Sequence, residues 1–95
     1  MTYEESSALM GDAAFRGRIK VAVIKFADYI LAEDNTTPAH NTRVKWAQAA
    51  YQNPDMVAAQ IQSAVVMDTA VQAAGAEIDD AALQGAVETT VNKLL

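Results

Sequence analysis

AAFRGRIKVAVIKFADYILAE, residues 13–33, decides the fold of this chain. Phe15, Ile19, Ala22, Val23, Phe26 and Ile30 recur at helical spacing and share one face. Val21, Ile24, Ala27 and Leu31 fall roughly opposite. A surface helix of a small domain carries one apolar stripe, whereas one apolar nearly all round is covered on both sides. In a chain of 95 residues, another chain can supply the second cover. The stretch therefore predicts a long helix, a core built on its first face, and a component of an assembly. Gly17 lies inside it, at a cost of about 1 kcal/mol relative to alanine. Either it permits a close helix contact or the helix begins after it.

Length allows a single helical domain, 1–95, with one modest core. Hydrophobic residues make up 52%, which excludes a disordered chain. Many of them are alanines, so helices approach closely but each contact buries little area. Absence of cysteine excludes disulfides and thiolate metal sites. No apolar run is long enough to span a membrane. The first residues, MTYEE, are acidic where a signal peptide is basic, so the expected place of synthesis is the cytoplasm of the host cell. Net charge is −5, unevenly spread. Residues 1–45 carry six basic and six acidic side chains; residues 46–95 carry Lys93 against six acids.

Helix punctuation is dense. Thr2 with Glu5 has capping-box spacing, so a short helix covers Tyr3 to Met10. Gly11 ends it and Asp12 caps the long helix. Thr37-Pro38 and Asn53-Pro54 each read as an N-cap followed by proline at the first helical position. They open helices from Pro38 to about Tyr51, with Val44, Ala47 and Tyr51 on one face, and from Pro54 to about Ala74, closed by Gly75. Asp79 caps a last helix, with Ile78 and Leu83 spaced as a hydrophobic staple. Its stripe is Leu83, Ala86, Val87, Thr90, Val91 and Leu94. The β-branched runs at residues 21–24 and 64–67 lie inside longer 3.6-residue patterns and predict helix. The fold class is all-α: a compact bundle of four to five helices with short loops.

Chemistry is sparse. His40, the single histidine, has no serine or aspartate at a suggestive spacing and reads as a packing or surface residue. One histidine cannot make a typical zinc site. Asp79 and Asp80 read as capping a helix start and meeting its dipole. The glycines are scattered, with no phosphate loop, and no serine has a candidate base. No catalytic, cofactor-binding or metal residue is assigned, and no enzyme activity is expected. Arg16, Arg18, Lys20 and Lys25 spread around the helix axis, so ion pairing is favoured over a nucleic-acid stripe. Arg43 and Trp46 form a basic-aromatic spot, a composition enriched at interface hot spots. Trp46 also suits a core.

Three stretches taken together, FRGRIKVAVIKFA (15–27), HNTRVKWA (40–47) and YQNPD (51–55), carry a resemblance. In this order the chain resembles small α-helical structural proteins encoded among the head and neck genes of tailed bacteriophages. Those proteins have a helix opening on an aromatic-Arg-x-Arg pattern, a basic helix, an Asn-Pro turn and an alanine-rich helix. Residues 10–75 are covered; the acidic C-terminal helix has no counterpart. The resemblance implies a virion component at the capsid or the head–tail connector, present in many copies as a homo-oligomer. Its partners would be copies of itself and larger capsid or connector proteins, with neither membrane nor nucleic acid. The candidate interface residues are Val21, Ile24, Leu31, Arg43 and Trp46. The alternative is a small regulatory or adaptor protein, phage- or bacterium-encoded, that binds one partner.

Overall fold

A computed structural model describes residues 1–95. Six α-helices follow one another: α1 (Tyr3–Met10), α2 (Ala13–Ala32), α3 (Pro38–Gln52), α4 (Pro54–Val66), α5 (Thr69–Ala74) and α6 (Asp80–Leu94). A 3-10 turn, Gly75–Glu77, joins the last two. The chain is all-α. Each expected cap is in place. The side chains of Thr2, Asp12, Thr37, Asn53 and Asp79 all accept a backbone N–H from the first turn of their helices. The Thr2–Glu5 capping box is reciprocal, with both hydrogen bonds at 3.1 Å. Ile78 and Leu83 are both buried, as a hydrophobic staple requires.

α2 is the hub and packs against α3, α4 and α6. Its inner face is closed to solvent: Ile19, Val23 and Ala27 are fully buried, and Phe15, Ala22, Phe26 and Ile30 nearly so. Ala47 and Ala50 of α3, Val57, Ala58, Ile61 and Val65 of α4, and Leu83, Val87 and Val91 of α6 complete one core cluster. Ala27 thus belongs to the inner face, not to the opposite one. It stands four residues from Val23, about 40° away around the helix axis. Tyr51 departs from its expected face too: Ala47 and Ala50 are buried, whereas Tyr51 is exposed.

The helix expected from Pro54 to Ala74 is two helices. α4 stops at Val66, and Asp68 in extended conformation (φ −61°, ψ 141°) caps α5 by accepting the Ala70 N–H. Gln72 closes the bend: its side-chain Nε2 donates to the Val66 carbonyl at 2.6 Å, and its carbonyl accepts from the Met1 amino group at 2.7 Å. Bending carries Val71 into the core against α6. This break raises the count to six, above the four to five expected. Gly75 has φ 71° and ψ −157°, the one positive φ in the chain. Only glycine adopts that conformation readily. Gly17 fits neither of its readings: α2 begins before it, and the space where a Cβ would stand is empty.

Two long-range polar contacts fasten the N-terminal part of α2. Gln62, fully buried, donates from Nε2 to the carbonyls of Leu9 (2.8 Å) and Asp12 (2.9 Å) and accepts from Arg16 Nε (2.8 Å). The α1–α2 turn is thereby held to α4. Arg18 donates to the Ala76 and Ile78 carbonyls and to Asp80 at 3.0 Å, while its guanidinium lies 5.9 Å from the Phe15 ring centroid. It donates to one carbonyl within the 3-10 turn and one just past it, groups that helical bonds leave unmet.

Candidate protein interface

The outer face of α2 is where the chain leaves apolar side chains uncovered on its central helix. Val21 is 66% exposed and Leu31 42%, with Ile24 half-buried beside them. These residues stand at i, i+3 and i+10, and exposed Asp28 takes i+7. That is heptad spacing, the register by which one helix presents a narrow seam to another. Asp28 gives the seam a polar position, which fixes register in such contacts at some cost in stability.

Ion pairs border this seam. Lys20 meets Asp55 of α4 at 3.1 Å, and Arg18 meets Asp80 of α6 at 3.0 Å. With Arg16 bonded to Gln62, three of the four bases on α2 are engaged within the chain, and Lys25 stands exposed. Exposed pairs of this kind contribute little stability, on the order of 0–1 kcal/mol. Their effect here is to hold long side chains beside the seam.

Arg43 and Trp46 are held by contacts of their own. Arg43 donates from Nε to Asn92 Oδ1 at 3.0 Å, tying α3 to α6. Trp46 packs on the core through Phe26, with ring centroids 5.7 Å apart. His40 is buried, with its backbone N–H capped by Thr37; its Nδ1 lies 3.4 Å from a Glu33 carboxylate oxygen without a hydrogen bond. Asp79 caps α6 and Asp80 receives Arg18. No three His, Cys, Asp or Glu side chains are grouped as metal ligands would be. No helix is long and apolar enough to cross a membrane.

A second surface went unread in the sequence. The α4–α5 bend leaves Met67 59% exposed beside a trough that α6 closes, and Leu94 is 62% exposed at the trough's end. Its signal was Asp68-Thr69, a cap pattern inside an otherwise continuous apolar period.

No family model, curated protein or solved structure matches this chain.

Proposed function

We propose that this chain is a non-enzymatic structural component of a tailed-phage virion, at the capsid or the head–tail connector. It acts through helix-mediated contacts with copies of itself and with larger capsid or connector proteins. It is made in the host cytoplasm and resides in the particle. One observation carries the reading: α2 has two apolar faces, and the bundle covers only one. The inner face is closed by three neighbouring helices, while Val21 and Leu31 stay exposed at seam spacing. Apolar side chains held at a regular spacing on a rigid central helix suit a partner helix. The likeness of residues 10–75 to phage head and neck proteins supplies the setting.

Mass spectrometry of purified particles tests this. A structural component is present in fixed stoichiometry to the major capsid and connector proteins. Absence from the particles, with the chain found on one protein of the infected cell, would establish the adaptor reading instead.

A further inference from the structure

His40 is the one titratable residue buried in this chain. Its Nδ1 is the only buried side-chain nitrogen or oxygen without a hydrogen bond. That atom faces the Glu33 carboxylate, 3.4 Å away. The two residues come from opposite sides of one corner. Glu33 ends α2, and His40 lies in the first turn of α3. Their settings differ: the His40 side chain is 4% exposed and that of Glu33 58%. Glu33 is therefore free to swing and close onto Nδ1, to the distance of about 2.7–2.9 Å usual for a charge-assisted hydrogen bond. The ring has no such freedom while the corner stays shut.

Three influences act on a proton at that ring. Burial disfavours the charged imidazole. So do the unpaired N–H groups at the start of α3, which carry positive partial charge. A carboxylate beside the ring favours it. Glu33 is the only acid paired with His40; Asp34, next along the chain, is exposed. Arg43, one turn further along α3, is engaged by Asn92 of α6 at 3.0 Å. Lys93 of α6 lies toward Met67 and Asp68, and α4 joins α3 at its far end, at Asn53.

We infer that Glu33 and His40 form an acid-operated clasp on the α2–α3 corner. The ring takes up a proton in place while Glu33 is ionised, and the corner opens once acid neutralises Glu33. Between about pH 6.5 and about pH 4.3, the ordinary values of imidazole and carboxylate, the ring is positive and Nδ1–H donates to the negative Glu33. In stronger acid the ring is a buried cation without a partner, which is strongly unfavourable. The start of α3 then leaves α2 and the ring is hydrated. The sign is that of a carboxylate: the contribution of Glu33 is present above its titration and lost as pH falls through it.

Amide exchange tests the clasp on the whole chain, read residue by residue by NMR and corrected for its intrinsic pH dependence. His40 is the single histidine, so its C2–H resonance reports ring protonation directly. The amides to follow are those of His40 and Asn41, which donate to Thr37. In the parent they should stay protected while the ring titrates, and lose protection only below about pH 4.3. Glu33→Gln keeps the shape and removes the charge, and the exposure of Glu33 means that the variant should fold as the parent does at neutral pH. At about pH 5 the same two amides should exchange faster in this variant than in the parent, by about tenfold or more. Adding His40→Gln should abolish the change between neutral pH and that acid condition, because no charge is then buried. The α1 amides follow Glu5 and should not respond to Glu33→Gln, which separates the two acid effects. Equal protection of the parent and Glu33→Gln at about pH 5 would overturn the clasp. So would a parent whose His40 and Asn41 amides open as the ring takes up its proton.

Discussion

The rings of Phe26 and Trp46 meet at 5.7 Å between centroids and 50° between planes, joining α2 to α3. Tilted aromatic pairs contribute about 0.5–1.5 kcal/mol beyond the area they bury. Phe26 is otherwise enclosed by the core, so Phe26→Ala loses the pair and leaves a cavity. The expected cost is about 3–5 kcal/mol, a large share of what a domain this size holds in reserve. Trp46 is the only tryptophan, so its fluorescence follows urea unfolding directly. A Phe26→Ala midpoint equal to the parent's would show that the inner face is wrongly assigned.

Gln62 makes a different kind of contact. Gln62→Leu keeps the volume but removes three hydrogen bonds: the Leu9 and Asp12 carbonyls keep only their backbone partners, and Arg16 Nε loses its acceptor. The loss of this buried amide should cost about 1–3 kcal/mol. Amide hydrogen exchange should speed up most in α1 and the first turn of α2. Uniform exchange, unchanged from the parent, would deny Gln62 its role as the fastener of that turn.

At Gly75 the constraint is the backbone itself. A Cβ there would make ordinary contact with Met1 Cγ at 3.5 Å, so space is available. The positive φ is the obstacle, and Gly75→Ala should cost about 1–3 kcal/mol. The same substitution at Gly17 should stabilise the chain, by about 1 kcal/mol, because that position is helical and open. Thermal melts of the two variants should therefore move in opposite directions.

Glu5 makes α1 sensitive to acid. Its carboxylate is held below the usual value of 4.5, first by the Thr2 backbone N–H, then by the Thr2 side chain, with the N-terminal charge adding a little. A carboxyl whose folded pKa is depressed stabilises the native state above its unfolded pKa and loses that contribution as pH falls through the folded one. Loosening of α1 is thus expected below about pH 4.5, seen as faster exchange of its amides. Glu5→Gln should flatten that dependence.

Much of this architecture was legible because helix starts are local. Thr2, Asp12, Thr37, Asn53 and Asp79 each announce a helix within three or four residues, and all five do cap one. Asp68 sends the same signal and was overridden by the apolar period running through Val65, Val66 and Met67. The trough that depends on that bend was hidden with it. Ala27 was misplaced because a methyl group weighs little in a pattern, although its angle around the helix puts it beside Val23. Gln62 and Arg18 could not be read at all, since their partners lie about 50 and 60 residues away in sequence and no local rule joins them. The outer seam of α2 was visible in advance as Val21, Ile24 and Leu31. Its narrowness, and the place of Asp28 within it, emerged from the exposure pattern of the folded chain.

The proposed role requires the outer face of α2 to join this chain to a particle. Val21 is the sharpest probe, because its exposure means that Val21→Asp should leave the monomer helical and as stable as the parent. An unpaired carboxylate buried in a helix contact is strongly unfavourable, so the variant should be excluded from assembly. Ile24→Asp should be excluded as well, with a lower melting temperature because Ile24 is half-buried. Measured directly, the copy number of the Val21→Asp chain in purified particles should fall close to zero while its circular dichroism matches the parent's. A folded Val21→Asp chain present in the particles at parental copy number would show that the outer face of α2 is not the contact.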